Sequence, residues 1–458
     1  MMRLSEAAAM LDVPFSGTDA EVRRVSTDSR SIQPGDLFIA LRGEKFDGGA
    51  FAAQALQQGA AGVVLEARQA PEIASAIRVE DTRLALGRLA AGWRQRFVLP
   101  VVAITGSNGK TTVKEMLAAI LRAEAGMEAG VLHTEGNLNN DIGLPLMLLR
   151  LRGTHRFAVL EMGMNHAGEI DYLTRLARPD VAVVNNALSA HIGFLGSVEN
   201  IARAKGEIFN GLTNAGIAVF NADDAHAWLW REANARRSII DFGIRQPAAV
   251  SGRYQPSGFG SALTLSLPDA DLDIALQVPG EHNVMNALAA AAAAFALDVS
   301  HRSIVVGLSG FTGVRGRLQR KPALHGSTFI DDTYNANPDS VKAALTVLAQ
   351  QPGTRVLVLG DMGELGADAA AMHAAIGRAA HAAGVDRLLA LGELSRETVA
   401  AFGAGAMHFE RIEELLAELE NALTPDATVL VKGSRFMQME RVVKSFTEAS
   451  GAAGGQGH

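Results

Sequence analysis

A glycine-rich segment that runs into a lysine and two threonines carries the clearest chemical signal in the sequence. It joins the apolar run Val101–Thr105 to a stretch with helical spacing, Val113–Leu121. At such a strand-to-helix turn the backbone N–H groups and the helix dipole attract phosphate, the lysine can reach the β- and γ-phosphates, and a threonine hydroxyl can bind Mg²⁺. We predict a nucleotide site formed by Thr105, Gly106, Ser107, Asn108, Gly109, Lys110, Thr111 and Thr112.

This loop departs from the general phosphate-binding motif at one position. Ile104 stands where the general motif has its first glycine, so the loop is shorter than usual. A phosphate loop alone is compatible with kinases, ATPases, GTPases and ligases, and a glycine turn with a surface lysine is the non-functional interpretation. Other residues must therefore decide between these classes.

Polar residues follow two later apolar runs. Glu161 ends the run Phe157–Glu161, and His191 comes just after Val181–Asn185. Open parallel sheets bind ligands beyond the carboxyl ends of their strands, and a carboxylate beside a triphosphate suits Mg²⁺ because hard cations prefer oxygen. Glu161 is thus a candidate metal ligand, with a solvated strand-end acid as the alternative. A lone loop histidine such as His191 is more often a surface residue.

Five further positions stay ambiguous on residue type alone. Lys205 lies on a predicted helix, where a lysine is ordinarily a solvated charge. Asn283 could cap the alanine-rich helix that follows it. Arg317 could clamp a phosphate at a hinge between domains, and Asp332 could bind ribose hydroxyls at a strand end. The basic turn 432–435 suits a substrate carboxylate and an ordinary loop equally well.

The order of apolar runs and turns predicts an α/β protein of three domains. The segment 1–83 has short strands separated by Pro-Gly and Gly-Gly turns and is expected to form a small α/β domain. The segment 84–316 alternates strands and helices, which favours a mainly parallel sheet covered on both faces. A second alternating block, 317–458, predicts an open α/β domain, whose last residues, 451–458, are expected to be frayed.

Composition narrows the class of protein further. Of 458 residues, 48% are hydrophobic and 20% charged, which is typical of a soluble globular chain. The net charge of −7 provides no basic surface for a nucleic-acid partner, and the absence of cysteine excludes disulfides and thiolate nucleophiles. No stretch reaches the ~18 apolar residues of a membrane span, and an acid lies where a signal peptide would be apolar. A cytoplasmic protein is expected.

Taken in order, these motifs resemble the Mur ligase family over nearly the whole chain. The shortened phosphate loop is a feature of that family, so Ile104 fits the family pattern. The remaining motifs that carry the resemblance are Thr134–Pro145, Glu161–Gly163, Ala204–Glu207, Gly316–Arg317, Asp331–Pro338 and Lys432–Arg435.

The resemblance implies roles for the nucleotide-site residues. It implies ATP and two Mg²⁺ ions as cofactors, with Thr111, Glu161, His191 and Lys205 as metal ligands. Lys205 would be carbamylated, and the catalytic residues would be Lys110, Lys205 and His191. Asn283 would contact adenine, Arg317 the γ-phosphate and Asp332 the ribose.

The resemblance also implies a substrate for each end domain. An N-terminal UDP-binding domain, a central ATP-binding domain and a C-terminal Rossmann-like domain would join D-alanyl-D-alanine to UDP-N-acetylmuramoyl-tripeptide through an acyl phosphate. A monomer is expected. The implied substrate residues are Ser29, Arg30, Asn137, Asn139, Asn140, Asn335, Asn337, Ser434 and Arg435.

One departure and three alternatives stay open. Relatives commonly have a histidine where this chain has Gly49, so a contact to the uridine diphosphate end is missing or replaced. A folylpolyglutamate synthase shares the loop and the lysine but begins near its phosphate loop. A phosphate-loop kinase or regulatory NTPase, and a non-catalytic binding protein on the same fold, are the alternatives from other classes.

Overall fold

The computed structural model of the chain describes residues 1–43, 46–69, 73, 76–189 and 192–447. Two sequence predictions, the metal ligand His191 and the frayed segment 451–458, lie outside these described residues.

The N-terminal segment forms a parallel sheet in the order β3-β4-β5-β6, and β1 pairs with β2 in a separate antiparallel ribbon. Gly35, at φ +89°, closes the turn before β4, whose four residues are all buried. The elements are β1 Met2–Arg3, α1 Leu4–Met10, β2 Glu21–Val22, β3 Arg24–Ser26, β4 Asp36–Ile39, α2 Ala52–Gln57, β5 Gly62–Glu66 and β6 Ile77–Val79.

Helix α3, Thr82–Arg94, leads from this sheet into the middle of the chain. Its N-cap is Asp81, whose carboxylate accepts from two backbone N–H groups of the first turn. Near its end, Trp93 donates its indole N–H to the carbonyl of Leu151 over 3.2 Å, and Arg94 donates to the carbonyl of Ala177 over 3.1 Å. The helix therefore packs on the middle region that contains the phosphate loop.

The middle region contains a sheet of nine described strands in the order β15-β14-β13-β12-β11-β10-β7-β9-β8. It is parallel from β8 to β13, and β14 and β15 add an antiparallel edge. The strands are β7 Val101–Thr105, β8 Val131–His133, β9 Phe157–Glu161, β10 Val181–Val184, β11 Ile217–Asn221, β12 Ile239–Gly243, β13 Val250–Ser257, β14 Gly260–Ser266 and β15 Asp271–Leu276. The helices are α4 Lys110–Ala125, α5 Gly143–Leu148, α6 Glu169–Ala177, α7 Ile192–Leu195, α8 Val198–Gly206, α9 Ala227–Ala233, α10 Glu281–Phe295 and α11 His301–Ser309.

Helices α4 and α10 cover one face of this sheet together. The alanines of α10, residues 287 and 289–294, are fully buried against α4 and the strands. Small side chains let the two helices approach closely, and both helices begin at the carboxyl ends of the strands. The sheet and these two helices therefore place the phosphate loop, which starts α4, beside the first turn of α10.

The C-terminal region forms a second open sheet in the order β16-β17-β21-β18-β19-β20, parallel apart from its edge strand β16. Apolar residues pack on both faces of it. Its elements are β16 Gln319–Pro322, β17 Thr328–Asp332, α12 Pro338–Ala349, β18 Arg355–Gly360, α13 Ala369–Ala382, β19 Arg387–Leu391, α14 Ser395–Phe402, β20 Ala406–Phe409, α15 Ile412–Asn421, β21 Thr428–Lys432 and α16 Glu440–Thr447.

The predicted fold class, three α/β regions with mainly parallel sheets, is confirmed. Strands β7 and β9 have the predicted bounds, whereas β10 ends one residue before the predicted Asn185. No helix among the described residues is both long and apolar enough to cross a membrane.

Candidate active site

The phosphate loop connects β7 to α4 and bends sharply at Gly109. This residue has φ +81°, and a Cβ there would lie 2.3 Å from Asn286 Oδ1 and 2.5 Å from Asn185 Nδ2. Both the backbone angle and the lack of space require glycine. The next residue, Lys110, folds back so that its ammonium donates to the carbonyl of Gly106 over 2.6 Å. The loop backbone thus surrounds the Lys110 side chain.

Two asparagines just after β10 hold the loop in place. The backbone N–H of Asn108 donates to Asn186 Oδ1 over 2.9 Å. The Asn108 carbonyl accepts from Asn185 Nδ2 at 3.0 Å and from Asn186 Nδ2 at 3.1 Å. We did not predict these residues from the sequence. The available signal was the Asn-Asn pair at the carboxyl end of a buried strand, where parallel sheets place their site residues.

The amide contacts continue from the loop into α10. Asn185 Nδ2 also donates to Asn286 Oδ1 over 2.9 Å, Asn286 donates to Asn283, and Asn283 donates to the carbonyl of Pro279 over 2.7 Å. The prediction that Asn283 caps α10 is wrong, because the helix begins earlier and Gly280, at φ +89°, is its N-cap. Asn283 therefore lies within the first turn and holds the segment that precedes it.

Four side chains converge beside the loop. The hydroxyl of Thr111 donates to Glu161 Oε2 over 2.8 Å, and the guanidinium of Arg317 donates to the same hydroxyl oxygen over 3.0 Å. Asn139 donates to the other carboxylate oxygen of Glu161 over 2.8 Å. Glu161 is only 3% exposed, so the alternative interpretation of this residue as a solvated strand-end acid is wrong.

This donor set suits Mg²⁺ bound together with a nucleotide. Thr111 and Glu161 offer hard oxygen atoms at the start of α4, which is the ligand type that Mg²⁺ prefers. Within the described part of the chain no three His, Asp or Glu side chains come close enough to hold a metal by themselves. An ion here would therefore complete its shell with phosphate oxygens and water, as is usual for Mg²⁺.

Lys205 is buried, contrary to its interpretation as a solvated charge. It lies on α8, which begins after the predicted N-cap Ser197, and the side chain is 1% exposed. Its amino group makes no hydrogen bond or ion pair with the described residues. Burial, and then the nearby charge of Lys110, hold the pKa of Lys205 well below its ordinary value. The sequence pattern could not reveal this burial. Helix α8 is amphipathic, and on such a helix a lysine is normally placed on the solvent-facing side, while the small neighbours Ala204 and Gly206 do not indicate which side is buried.

Lys110 itself is in an electrostatically balanced position. Burial lowers the pKa of its ammonium, Glu161 opposes this shift, and Arg317 adds to it. Glu364 opposes the shift as Glu161 does, so two carboxylates offset the two cations Lys110 and Arg317, and these cations are the groups that would neutralise an incoming phosphate.

Arg317 and Asp332 lie where the middle and C-terminal regions meet. The guanidinium of Arg317 is stacked 4.3 Å from the ring centroid of Tyr334. Asp332 ends β17, accepts from the ammonium of Lys432 over 2.6 Å and accepts from the N–H of Leu318. Burial raises the pKa of the Asp332 carboxyl, and Lys432 opposes this shift. The predicted residues Arg317 and Asp332 therefore each have a side-chain partner at this junction, Tyr334 and Lys432 respectively.

The C-terminal region also contacts the phosphate loop directly. Asn337, the N-cap of α12, donates to Asn108 Oδ1 over 2.8 Å, and Asp339 accepts from both the N–H and the hydroxyl of Ser189. A cavity of about 1600 Å³ lies between the two regions. It is lined by much of the predicted site, including Lys110, Thr111, Glu161, Asn283, Arg317, Asp332, Asn139, Asn335, Asn337, Ser434 and Arg435.

Four predicted substrate residues do not line this cavity. Ser29 and Arg30 lie in a short 3₁₀ helix of the N-terminal region, where Arg30 pairs with Asp28 and lowers the pKa of that carboxyl to about 2. Asn140 accepts from the N–H of Gly143 over 2.8 Å at the start of α5, and Asn137 is exposed. Their assignment as substrate residues stays a prediction.

The departure at Gly49 has a local structural counterpart. A Cβ on Gly49 would lie 2.9 Å from Gln69, whose side chain is buried and donates to Asp47 Oδ1 over 2.5 Å. The same carboxylate oxygen accepts from the N–H of Gly49 over 2.8 Å. Gln69 therefore occupies the space that a side chain at position 49 would need.

The fold and the site define a three-domain α/β protein with a phosphate loop at a cavity between its middle and C-terminal regions. Models of the Mur ligase family match almost the whole length in three parts. These are the Mur ligase family, catalytic domain at residues 21–94, the Mur ligase middle domain at 104–294 and the Mur ligase, glutamate ligase domain at 316–435. The chain belongs to the Mur ligase family.

Individual relatives match this chain over nearly the full length of both sequences. The UDP-N-acetylmuramoyl-tripeptide–D-alanyl-D-alanine ligase of Escherichia coli is 43% identical, over 97% of this chain and 98% of its own. A crystal structure of MurF from Acinetobacter baumannii matches with a TM-score of 0.90 at 39% identity, covering 97% and 98% of the two chains. MurF from Thermotoga maritima, in complex with ADP, matches with a TM-score of 0.84 at 28% identity, covering 93% and 97%.

Proposed function

We propose that this chain is an ATP-dependent ligase that adds D-alanyl-D-alanine to UDP-N-acetylmuramoyl-tripeptide in peptidoglycan synthesis. The names of its full-length relatives support this reaction, and the ADP-bound relative supports ATP as the nucleotide. The observation that carries the proposal is the convergence of Thr111, Glu161 and Arg317 beside Lys110, at the cavity between the middle and C-terminal regions.

The chain's own residues would act chiefly by positioning and by neutralising charge. The terminal carboxylate of the tripeptide attacks the γ-phosphorus of ATP, and the bond to ADP breaks to leave an acyl phosphate. The dipeptide amine then attacks the acyl carbon, loses a proton, and phosphate leaves. Lys110 and Arg317 would neutralise the charge on the transferred group, which is how phosphoryl-transfer enzymes lower the barrier. Bound Mg²⁺ would supply Lewis-acid stabilisation of the phosphate oxygens, held by Thr111 and Glu161, with His191 as a further proposed ligand.

Lys205 is proposed to be carbamylated and to hold a second Mg²⁺. Its burial without a partner among the described residues, and the lowered pKa, favour a neutral amine. A neutral amine adds to carbon dioxide and releases one proton, which converts the side chain into a carbamate anion. That anion would lie near Lys110, so a neutral amine would be replaced by a group that the Lys110 ammonium attracts.

The remaining assignments divide the substrates between the three regions. We propose domains at 1–83, 84–316 and 317–458, with Ser29 and Arg30 at the UDP end and Asn137, Asn139 and Asn140 along the tripeptide. Asn283 and Asp332 would contact adenine and ribose. Asn335, Asn337, Ser434 and Arg435 would bind the dipeptide. We further propose that the protein acts in the cytoplasm as a monomer.

The test is a reconstituted reaction with ATP, Mg²⁺, UDP-N-acetylmuramoyl-tripeptide and D-alanyl-D-alanine. We expect pentapeptide and phosphate to form in equal amounts, and both to depend on every component. Phosphate release that ignores the dipeptide would instead indicate an NTPase or kinase. Product from folate and glutamate, with none from the nucleotide tripeptide, would indicate a folylpolyglutamate synthase.

A further inference from the structure

A buried lysine on the phosphate-loop helix belongs to none of the roles described so far. Lys114 lies one turn after Thr111 on α4 and is 1% exposed. Its ammonium donates to the carbonyl of Thr134 and pairs with the neighbouring Glu115 at 2.9 Å. Charged side chains are rarely buried to this extent unless they are paired, and Lys114 has both a carbonyl and a carboxylate as partners.

Thr134 is where the chain leaves β8, and its polar groups are all engaged. Its N–H donates to the carbonyl of Val159 over 3.0 Å, and its hydroxyl accepts from the N–H of Glu161 over 2.9 Å. With the carbonyl bonded to Lys114, this fully buried residue is fixed on both sides. Thr134 therefore fixes the backbone of Glu161 at the point where β9 ends.

The carboxylate of Glu161 is in turn directed back to the same helix. One oxygen accepts from Thr111 on α4, and the other accepts from Asn139. Helix α4 is thus connected to Glu161 in two ways. Thr111 bonds directly to the carboxylate, and Lys114 bonds to Thr134, which in turn bonds to the Glu161 backbone. A closed arrangement of this kind fixes the separation between the Thr111 hydroxyl and the Glu161 carboxylate.

We infer that Lys114 and Thr134 are positioning residues that set the divalent-cation site at Thr111 and Glu161. This inference rests on the proposed function, since it concerns the metal-dependent nucleotide site of that reaction. Groups that orient a ligand from outside its coordination shell typically change metal affinity 10–100-fold when they are removed. The ligand itself is intact in such variants, so the loss is one of geometry.

The test compares Thr134→Val with Thr134→Ser. Valine keeps the shape but leaves the Glu161 N–H without its acceptor, whereas serine keeps the hydroxyl. We expect Thr134→Val to raise the Mg²⁺ concentration for half-maximal activity roughly tenfold, with little change in the KM for the UDP nucleotide. Thr134→Ser should stay within about twofold of the parent chain. Thr174→Val is the matched control, because Thr174 is also fully buried and donates to a carbonyl, that of Ile208.

A binding measurement separates this inference from the proposed function. Mn²⁺ titrated against the protein with a non-hydrolysable ATP analogue, followed by electron paramagnetic resonance, should bind about tenfold more weakly in Thr134→Val and in a second variant, Lys114→Met. This result does not require ligase turnover, so it holds even if the parent chain forms no pentapeptide. Folded variants with unchanged Mn²⁺ and Mg²⁺ dependence would overturn the inference. Failure of both variants to fold would overturn it too, because the network would then serve only the core.

Discussion

Asn337 and Asn108 join the C-terminal region to the phosphate loop through their side-chain amides. The Nδ2 of Asn337 donates to Oδ1 of Asn108 over 2.8 Å, and the reverse contact measures 3.4 Å. Asn337 has a second task, because its Oδ1 accepts from the N–H of Ser340 and caps α12. Asn337 thus both caps α12 and connects the C-terminal region to the middle region.

A serine at position 337 should separate these two tasks. Serine is an equally good N-cap but is too short to reach Asn108. We expect Asn337→Ser to keep its stability while the radius of gyration, measured by small-angle X-ray scattering, increases. Asn337→Ala should in addition lose about 1 kcal/mol of unfolding free energy because the cap is removed. Scattering curves identical to the parent protein for Asn337→Ser would argue against this contact as a determinant of closure.

The Thr111 hydroxyl is expected to matter more for turnover than for nucleotide binding. Thr111→Val removes an atom that serves both Glu161 and Arg317, while nearly preserving volume. We expect kcat to fall about 10²–10³-fold, in line with the loss of one preorganised polar group, with a smaller change in ADP affinity. Thr111→Ser is the control and should retain most of the activity. Steady-state kinetics together with calorimetric ADP titration would show whether the two effects separate.

Removing the buried amine of Lys205 should stabilise the protein and abolish its activity. Methionine has a similar length and does not need a hydrogen-bond partner. In carbonate-free buffer, Lys205→Met is expected to gain about 1–3 kcal/mol of unfolding free energy, the usual cost of a buried unpaired polar group. Pentapeptide formation should be lost and partly restored by short-chain carboxylates. A destabilised variant would contradict the cost assigned to the unpaired amine, and a variant with full activity would contradict the proposed carbamate.

His282 should make stability depend on pH in the weakly acidic range. Burial, and then the charge of Lys432, lower the pKa of this imidazole from 6.5 to about 4. The unfolded chain takes up the proton first, so the contribution of the neutral ring is complete above pH 6.5 and is lost as the pH falls towards 4. Urea midpoints measured from pH 7 to pH 4.5 should fall more steeply for the parent chain than for His282→Gln. Parallel curves would rule out this histidine as the cause.

The local parts of the site could be predicted from the sequence. A buried apolar run followed by glycines and lysine has few structural solutions, so β7, the loop and the start of α4 lie where expected. Glu161 was found for the same reason, as the last residue of a buried strand. These predictions depend on short stretches of chain, where turn chemistry and strand polarity decide the outcome.

The parts that failed depend on contacts between distant segments. The burial of Lys205 is set by neighbours from other elements, whereas a lysine on a helix usually indicates solvation. Asn283 was misassigned because helix α10 starts before it, at a glycine whose φ of +89° has no signature in residue type beyond glycine itself. Asn185 and Asn186 contact a loop 77 and 78 residues away.

The amides that run from Asn185 through Asn286 and Asn283 to Pro279 all donate in the same direction. Reversing one amide would set two acceptors or two donors against each other, and reversing all three would set an amide oxygen against the Pro279 carbonyl, which can only accept, so this carbonyl fixes the direction of the hydrogen bonds. Replacing one member would leave a donor and an acceptor stranded on either side of it. We therefore expect homologues to keep all three asparagines or to change them together.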